Sequence, residues 1–308
     1  MIKRCFLSIC IPTYNRKDFL IKTLTKISKF KEVGDIEVVV ADDASDDNTN
    51  LKIQDFIKDH KNMNLVYKRF PKRMYFDKMV LSIVKIAKGD HCWLISDDDI
   101  PLPGSIGKIK SIITKYPSTS FIHMNYVRFD NMLKKVTSKR MVGSIKNDII
   151  FSDAEDFFFK PVTDSYFKFL GTNTITMSTD VFDRKKWLKS VFGLKKYIGH
   201  NFIHSFAIGT LIKKYPDVYY IGKPSVQYLS NNHRVWPNNI WQDYNTEFLN
   251  YLLKIGYSKN KIEEMRKVQR QYEQREGIMK NKFLKRVYLF LRPLYVRVQY
   301  LYSKLNDK

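Results

Sequence analysis

The chain has 308 residues, 44% of them hydrophobic and 14% aromatic, which is enough apolar surface for a full core and too much for a disordered polymer. Its 54 Lys and Arg against 31 Asp and Glu leave a formal charge of +23, which predicts attraction to polyanions or anionic membranes. No zinc-ligand spacing, helix-turn-helix signature or aromatic RNA-binding motif accompanies that charge, so nucleic acid is not the expected partner.

Residues 6–11 read as a strand halted by Pro12 and Thr13. Residues 17–30 follow with apolar side chains at helical spacing. Residues 36–41 form an apolar run broken only by Glu37, the pattern of a parallel strand buried on both faces. The acidic turn from Asp42 to Asp47 suits the cap of a helix reaching His60. Strands are expected over 64–68 and 91–95, helices over 78–87 and 106–116, and a strand over 120–129. Such alternation predicts a doubly wound, mostly parallel sheet, with ligands gathering at the carboxyl ends of its strands. Both acidic clusters, Asp42-Asp43 and Asp97-Asp98-Asp99, fall at such ends. Beyond about residue 151 the pattern loosens; strands are expected over 175–178, 218–221 and 226–229, a helix over 202–214, and charged helices after 241.

Cys5, Cys10 and Cys92 lie in strand-like apolar runs and read as free thiols in a reducing compartment. The 6–11 run is too short for a signal peptide, and no stretch of about 18 uncharged apolar residues is available to span a bilayer. The expected location is cytoplasmic.

Three consecutive carboxylates after an apolar strand repel one another unless a cation offsets them. Hard cations such as Mg²⁺ or Mn²⁺ take carboxylate oxygens together with substrate phosphates. The run Ser96-Asp97-Asp98-Asp99-Ile100 therefore points to chemistry on a nucleotide diphosphate.

Three pieces, LSICIPTYNR at 7–16, IEVVVADDASDDNT at 36–49 and AKGDHCWLISDDDI at 87–100, together resemble the family 2 glycosyltransferases. Within that family the pattern is similar to abequosyltransferase-like enzymes of bacterial O-antigen or capsule synthesis. The resemblance implies a GT-A fold: α/β and Rossmann-like, with a mostly parallel sheet flanked by helices and here a basic helical C-terminal extension. It implies a catalytic domain over 1–235, with a nucleotide-sugar half at about 1–130 and an acceptor half at about 131–235, then a helical region over 236–308. The implied donor is UDP-, CDP- or dTDP-linked, and the implied reaction is inverting and metal-dependent.

Residue by residue, the resemblance puts Pro12, Thr13 and Tyr14 in the first nucleotide-binding loop, with Arg16 beside them. Asp43 matches the carboxylate that accepts from the pyrimidine, with Asp42 as its neighbour. Asp97 to Asp99 match the DXD motif, in which Asp97 faces the ribose, Asp99 holds the metal and Asp98 shares either task. Inverting members carry a Glu-Asp pair at the start of a late helix, but Gly199-His200-Asn201-Phe202 stands there in this chain. His200 or His204 is a candidate base, since imidazole titrates near neutrality. Asp156, in the earlier pair Glu155-Asp156, is a third. His233 is a candidate for the metal shell and Arg234 for the diphosphate, as basic groups there offset leaving-group charge.

Residues 278–308 hold eight Lys and Arg against one acid, with apolar side chains recurring every three or four positions. A basic amphipathic helix of this kind suits an anionic membrane interface. Peripheral attachment to the inner face of the cytoplasmic membrane and a polyprenyl-linked glycan acceptor are expected, the lipid on the strength of the resemblance alone. Two other readings share parts of the pattern. Nucleotidyl transfer also uses paired carboxylates and metal, though it brings a Gly-rich phosphate loop that Pro12-Thr13-Tyr14-Asn15 lacks. A catalytically lapsed GT-A domain acting as a membrane or nucleic-acid adaptor would share the missing pair and the charge.

Overall fold

The structure, a computed structural model, describes residues 5–129, 136–138, 147–159, 177–199, 201–229, 240–267 and 270. The first half follows the expected alternation: β1 (Leu7–Thr13), α1 (Lys17–Ile27), β2 (Glu37–Asp42), α2 (Thr49–Asp59), β3 (Asn64–Arg69), α3 (Tyr75–Ile86), β4 (His91–Leu94), β5 (Ile100–Pro101), α4 (Ser105–Lys115) and β6 (Phe121–Phe129). After these come β7 (Val136–Ser138), β8 (Ile149–Phe151), α5 (Ala154–Phe159), β9 (Asp180–Asp183), α6 (Arg184–Ser190), α7 (Ile203–Lys214), β10 (Val218–Leu229) and α8 (Ile240–Lys254).

The described strands join one sheet in the order β3-β2-β1-β4-β9-β6-β10-β5, with β7 on β6 and β8 on β10. β1, β2, β3 and β4 are mutually parallel, whereas β9 enters antiparallel between β4 and β6. Their apolar side chains point alternately to two faces. On one face Ile9, Ile11, Val38, Val40 and Trp93 join Leu20, Leu24, Ile53, Phe56, Ile106 and Ile109 of α1, α2 and α4 in a single core. Met79, Val80, Ile83 and Val84 of α3 are buried outside that cluster, and α3 packs on β1 and β2. Helices on both faces make the sheet doubly wound, as the alternation predicts.

Two expectations in the second half need correction. Of the strand expected over 175–178, the first two residues lie outside the described residues and the last two belong to a 3₁₀ turn, Met177–Thr179, with strand β9 following at Asp180–Asp183. The two strands expected over 218–221 and 226–229 are one strand, β10, whose pairing with β6 shifts register between Ile221 and Val226. All three thiols are free, Cys10 and Cys92 buried in strands β1 and β4. No helix among the described residues is long and apolar enough to cross a membrane.

Contacts divide the chain into residues 1–258 and 259–308. Within the first unit α8 packs on α7, with the Phe206 and Phe248 rings 5.4 Å apart. The second unit contributes a described helix over 259–267.

Candidate active site

Parallel pairing brings three strand ends to one edge. Thr13 lies opposite Asp42 and Cys10 opposite Leu94, so the loops leaving β1, β2 and β4 emerge together. The acidic triplet sits in the last of these loops, and Asp97, Asp98 and Asp99 are all buried. Each is held by a side chain from elsewhere. Thr13 Oγ1 donates to Asp97 Oδ2 at 2.8 Å. Arg16 Nε lies 3.1 Å from Asp97 Oδ1, and its Nη2 donates to Asp98 Oδ2. Ser96 Oγ donates to the other Asp98 oxygen at 2.6 Å, and Ser178 Oγ donates to Asp99 Oδ2. Thr23 Oγ1, on α1, reaches the Asp97 carbonyl at 2.9 Å. The Arg16 guanidinium between two carboxylates offsets the repulsion that would otherwise make this buried cluster costly.

Asp43 is the hub of the second loop. Its carboxylate accepts from Arg73 Nε at 3.0 Å, Met74 N at 2.5 Å and Tyr75 N at 3.0 Å. Arg73 also lies over the Tyr14 ring, 3.3 Å from its centroid, which ties the loop after β1 to the connection between β3 and α3. Pro12, half-buried at the end of β1, precedes this contact. Asp42, by contrast, is directed inward: Ser45 N donates to one oxygen at 2.8 Å and the Tyr67 hydroxyl to the other at 2.5 Å. Burial, then Asp42 itself, pushes the Tyr67 hydroxyl pKa up. Asn15 and Ala44, in the loops after β1 and β2, and Tyr75, the first residue of α3, hold φ of 50°, 63° and 63°. Side chains other than glycine rarely adopt that conformation, and it collects where a surrounding frame enforces a binding geometry.

The triplet offers carboxylate oxygens, the hard donors that Mg²⁺ and Mn²⁺ prefer. Among the described residues no three His, Cys, Asp or Glu side chains form a ready cage. A cation held here would need phosphate or water oxygens to fill its remaining positions.

The other expected residues are spread wider. His204 is 2% exposed in the first turn of α7, its ring edge-on to Phe76 at 5.8 Å. Asp156 lies on α5, where its N–H donates to Asp153 Oδ1 at 3.1 Å. That helix follows β8, on the far side of the sheet order from β1. His200, His233 and Arg234 lie outside the described residues. A carboxylate does stand at the entry to α7, but it comes from α3. Asp77, 3% exposed, accepts from Gly199 N at 2.7 Å, Asn201 N at 3.0 Å and Ile203 N at 3.1 Å.

The family model for glycosyl transferase family 2 matches residues 8–187, which include every strand and loop of this edge. The chain belongs to glycosyl transferase family 2. The abequosyltransferase RfbV of Salmonella typhimurium is 33% identical to it over 108 residues, covering 35% of this chain and 32% of that protein. An uncharacterized glycosyltransferase of Mycoplasma genitalium, MG060, is 31% identical over 166 residues, covering 50% of this chain and 54% of its own length. The chain therefore spans about a third and about half of these two relatives. Among solved structures, S. aureus TarS 1–349 in complex with UDP aligns with a TM-score of 0.58 at 14% identity, over 94% of this chain and 78% of that one. The mannosyltransferase PcManGT from Pyrobaculum calidifontis, in complex with GDP-Man and Mn²⁺, aligns at 0.57 and 14%, over 88% and 70%. At such identities the likeness is one of fold, and the fold is GT-A as expected.

Four side chains of this family 2 chain that touch the edge escaped the sequence reading. Arg73 and Tyr75 follow a strand with no motif of their own. Thr23 looks like one more polar residue on an amphipathic helix. Ser178 lies 79 positions from Asp99, and only the course of β9 beside β4 brings them together.

Proposed function

We propose that this family 2 chain transfers a sugar from a nucleotide diphosphate to a lipid-linked bacterial surface glycan, with inversion and with the help of a divalent cation. The observation that carries the reading is the gathering of Thr13, Arg16, Asp43 and the buried Asp97-Asp98-Asp99 run at one strand edge. The names of the relatives and structural neighbours, with abequosyl, UDP and GDP-mannose among them, support a nucleotide-sugar donor.

In this reading Asp43 accepts from the base and Tyr14 with Pro12 borders it. Thr13 and Arg16 hold the triplet in place, and Arg16 lies within reach of phosphate charge once a donor enters. Asp99, with Asp97 or Asp98, would hold Mg²⁺ or Mn²⁺, whose contribution when bound is to offset the charge gathering on the departing diphosphate. The acceptor hydroxyl loses its proton to a base, for which His200 and His204 beside the start of α7 are the candidates ahead of Asp156 on α5. The tail over 278–308 attaches the enzyme to the cytoplasmic membrane face, where a polyprenyl-linked acceptor resides.

The test is to incubate the full chain with UDP-, CDP- and dTDP-sugars and Mn²⁺, following thermal stability and the nucleotide released. A donor that binds the native state raises its melting temperature by mass action. Nucleoside diphosphate is the expected product, and Asp99→Asn is expected to cut its release by about a hundredfold or more. Pyrophosphate in its place would mean nucleotidyl transfer. Turnover untouched by Asp99→Asn would overturn the assignment of the triplet.

A further inference from the structure

The segment 184–197 carries six Lys and Arg and no acid. Two of the six serve the fold: Arg184 Nε donates to the Val84 carbonyl at 2.9 Å, and Lys186 Nζ donates to the Ser118 carbonyl at 2.9 Å. The other four, Lys185, Lys189, Lys195 and Lys196, are exposed, and among the described residues none of them forms an ion pair with an acid. Lys185 and Lys189 are one turn apart on α6 and share a side of it. Trp187, Ser190, Leu194 and Tyr197 are buried and seat the segment on the domain. Between the two lysine pairs the chain turns at Val191 to Gly193, and Phe192 at that turn is 92% exposed, the most exposed of the large hydrophobic side chains described. Gly193, at φ 86°, makes the turn possible.

An aromatic side chain left in water between two pairs of lysines without an acidic partner, Lys196 resting only over the Tyr197 ring at 4.5 Å, has no stabilising role in the folded domain. We infer that the Phe192 turn docks into an anionic lipid surface: the four lysines meet headgroup phosphates, and the ring enters the boundary between headgroups and acyl chains. Single-stranded nucleic acid fits less well, because base stacking uses successive aromatics along a groove and here one ring protrudes from a tip. The surface is separate in sequence from the C-terminal tail. It leads within seven residues to Gly199, whose N–H is held by Asp77 at the entry of α7. The proposed function assigns that entry to the acceptor side, so docking here would carry a membrane-borne acceptor toward it. That purpose rests on the proposed function, while the docking itself does not.

The experiment uses the full chain and no donor sugar. Phe192→Trp places a reporter at the tip, read as the difference from the wild-type spectrum because the chain has four tryptophans of its own. With vesicles of phosphatidylglycerol and phosphatidylethanolamine the difference emission is expected to shift to the blue and to be quenched by brominated acyl chains. Phosphatidylcholine vesicles should do neither. Phe192→Ser and the pair Lys195→Glu with Lys196→Glu are each expected to weaken partitioning into the anionic vesicles by about tenfold, with melting temperature unchanged because these side chains are exposed. Vesicle binding without any change at the reporter would assign attachment to the tail and overturn the inference. So would no vesicle binding at all, or a reporter that answers to an oligonucleotide and not to lipid. A chain that docks but transfers no sugar would refute the proposed function and leave this inference standing.

Discussion

Glu37 interrupts the apolar run of β2, yet it is only 2% exposed. Its Oε2 accepts from Ser8 Oγ at 2.5 Å and from Lys88 N at 2.8 Å, and Gly89 N donates to the same Ser8 hydroxyl at 2.8 Å. A buried carboxylate is tolerable only with such partners. This network accounts for the run Ala87-Lys88-Gly89-Asp90 before β4, since a Cβ at Gly89 would lie 2.6 Å from both Ser8 N and Ser8 Oγ. Gly89→Ala is therefore expected to cost roughly 1–3 kcal/mol of stability, read as a lower urea midpoint with the slope unchanged. An unchanged midpoint would mean that the β1–β4 edge yields more easily than its packing implies. The sequence shows Glu37 as an anomaly in an apolar strand. It cannot show the partner, because Ser8 and Lys88 are 29 and 51 positions away.

At the scale of the element, the start of α7 depends on a helix from another part of the chain. Phe202 at its N-cap makes no side-chain capping bond. Asp77 of α3 takes three N–H groups of the approach and first residue instead, a role usually filled by a capping side chain of the helix itself. Asp77→Ala leaves those buried donors without their acceptor, and a loss of about 1–3 kcal/mol is expected. Asp77→Asn keeps one acceptor oxygen and should lose less. Chemical denaturation ranks the two, and equal losses would mean that the contacts contribute no hydrogen-bond energy.

The strands of the second half have equally local causes. β9 is four residues long and begins and ends in aspartate, so composition does not mark it as a strand. Its place is secured by neighbours on both sides, β4 and β6. Gly222-Lys223-Pro224 reads as a turn. In the sheet the chain passes through it with a shift of register, because β6 pairs with β10 both before and after.

At the scale of the whole molecule, the sheet buries a histidine–aspartate pair at its centre. His123 Nδ1 and Asp180 Oδ1 are 2.8 Å apart on paired strands, each side chain 1% exposed. Phe121, Phe157 and Tyr220 surround the imidazole, and Thr179 Oγ1 donates to the carboxylate at 3.2 Å. Burial pushes the Asp180 pKa up from 3.8 to about 6, against the opposing pull of His123. Between those values the folded chain holds more protons than the unfolded one, so this group's contribution falls as pH rises and is level above about 6. Asp180→Asn removes the titration. Relative to wild type, the variant should gain up to about 3 kcal/mol between pH 4 and pH 7, measured by urea unfolding across that range. A difference that stays constant with pH would mean that the pair is solvated better than its burial implies.

The sequence by itself determined the order and nature of the elements in the first half and the chemistry at the ends of β1, β2 and β4. Those features are local: apolar periodicity marks a strand or helix, and proline or acidic turns mark where it stops. It also determined the family, because the motif runs and their spacing survive in the linear chain. Only the tertiary structure decided which donors each acid meets. Asp43 and Asp97 to Asp99 lie at the ends of β2 and β4 with Arg73, Thr13, Arg16 and Ser178 on them, while Asp77, Asp180 and Glu37 are bound into buried networks elsewhere in the fold. The physical reason is that a carboxylate's role depends on which donors the sheet register and crossovers bring within hydrogen-bond reach. Composition and spacing do not encode that distance.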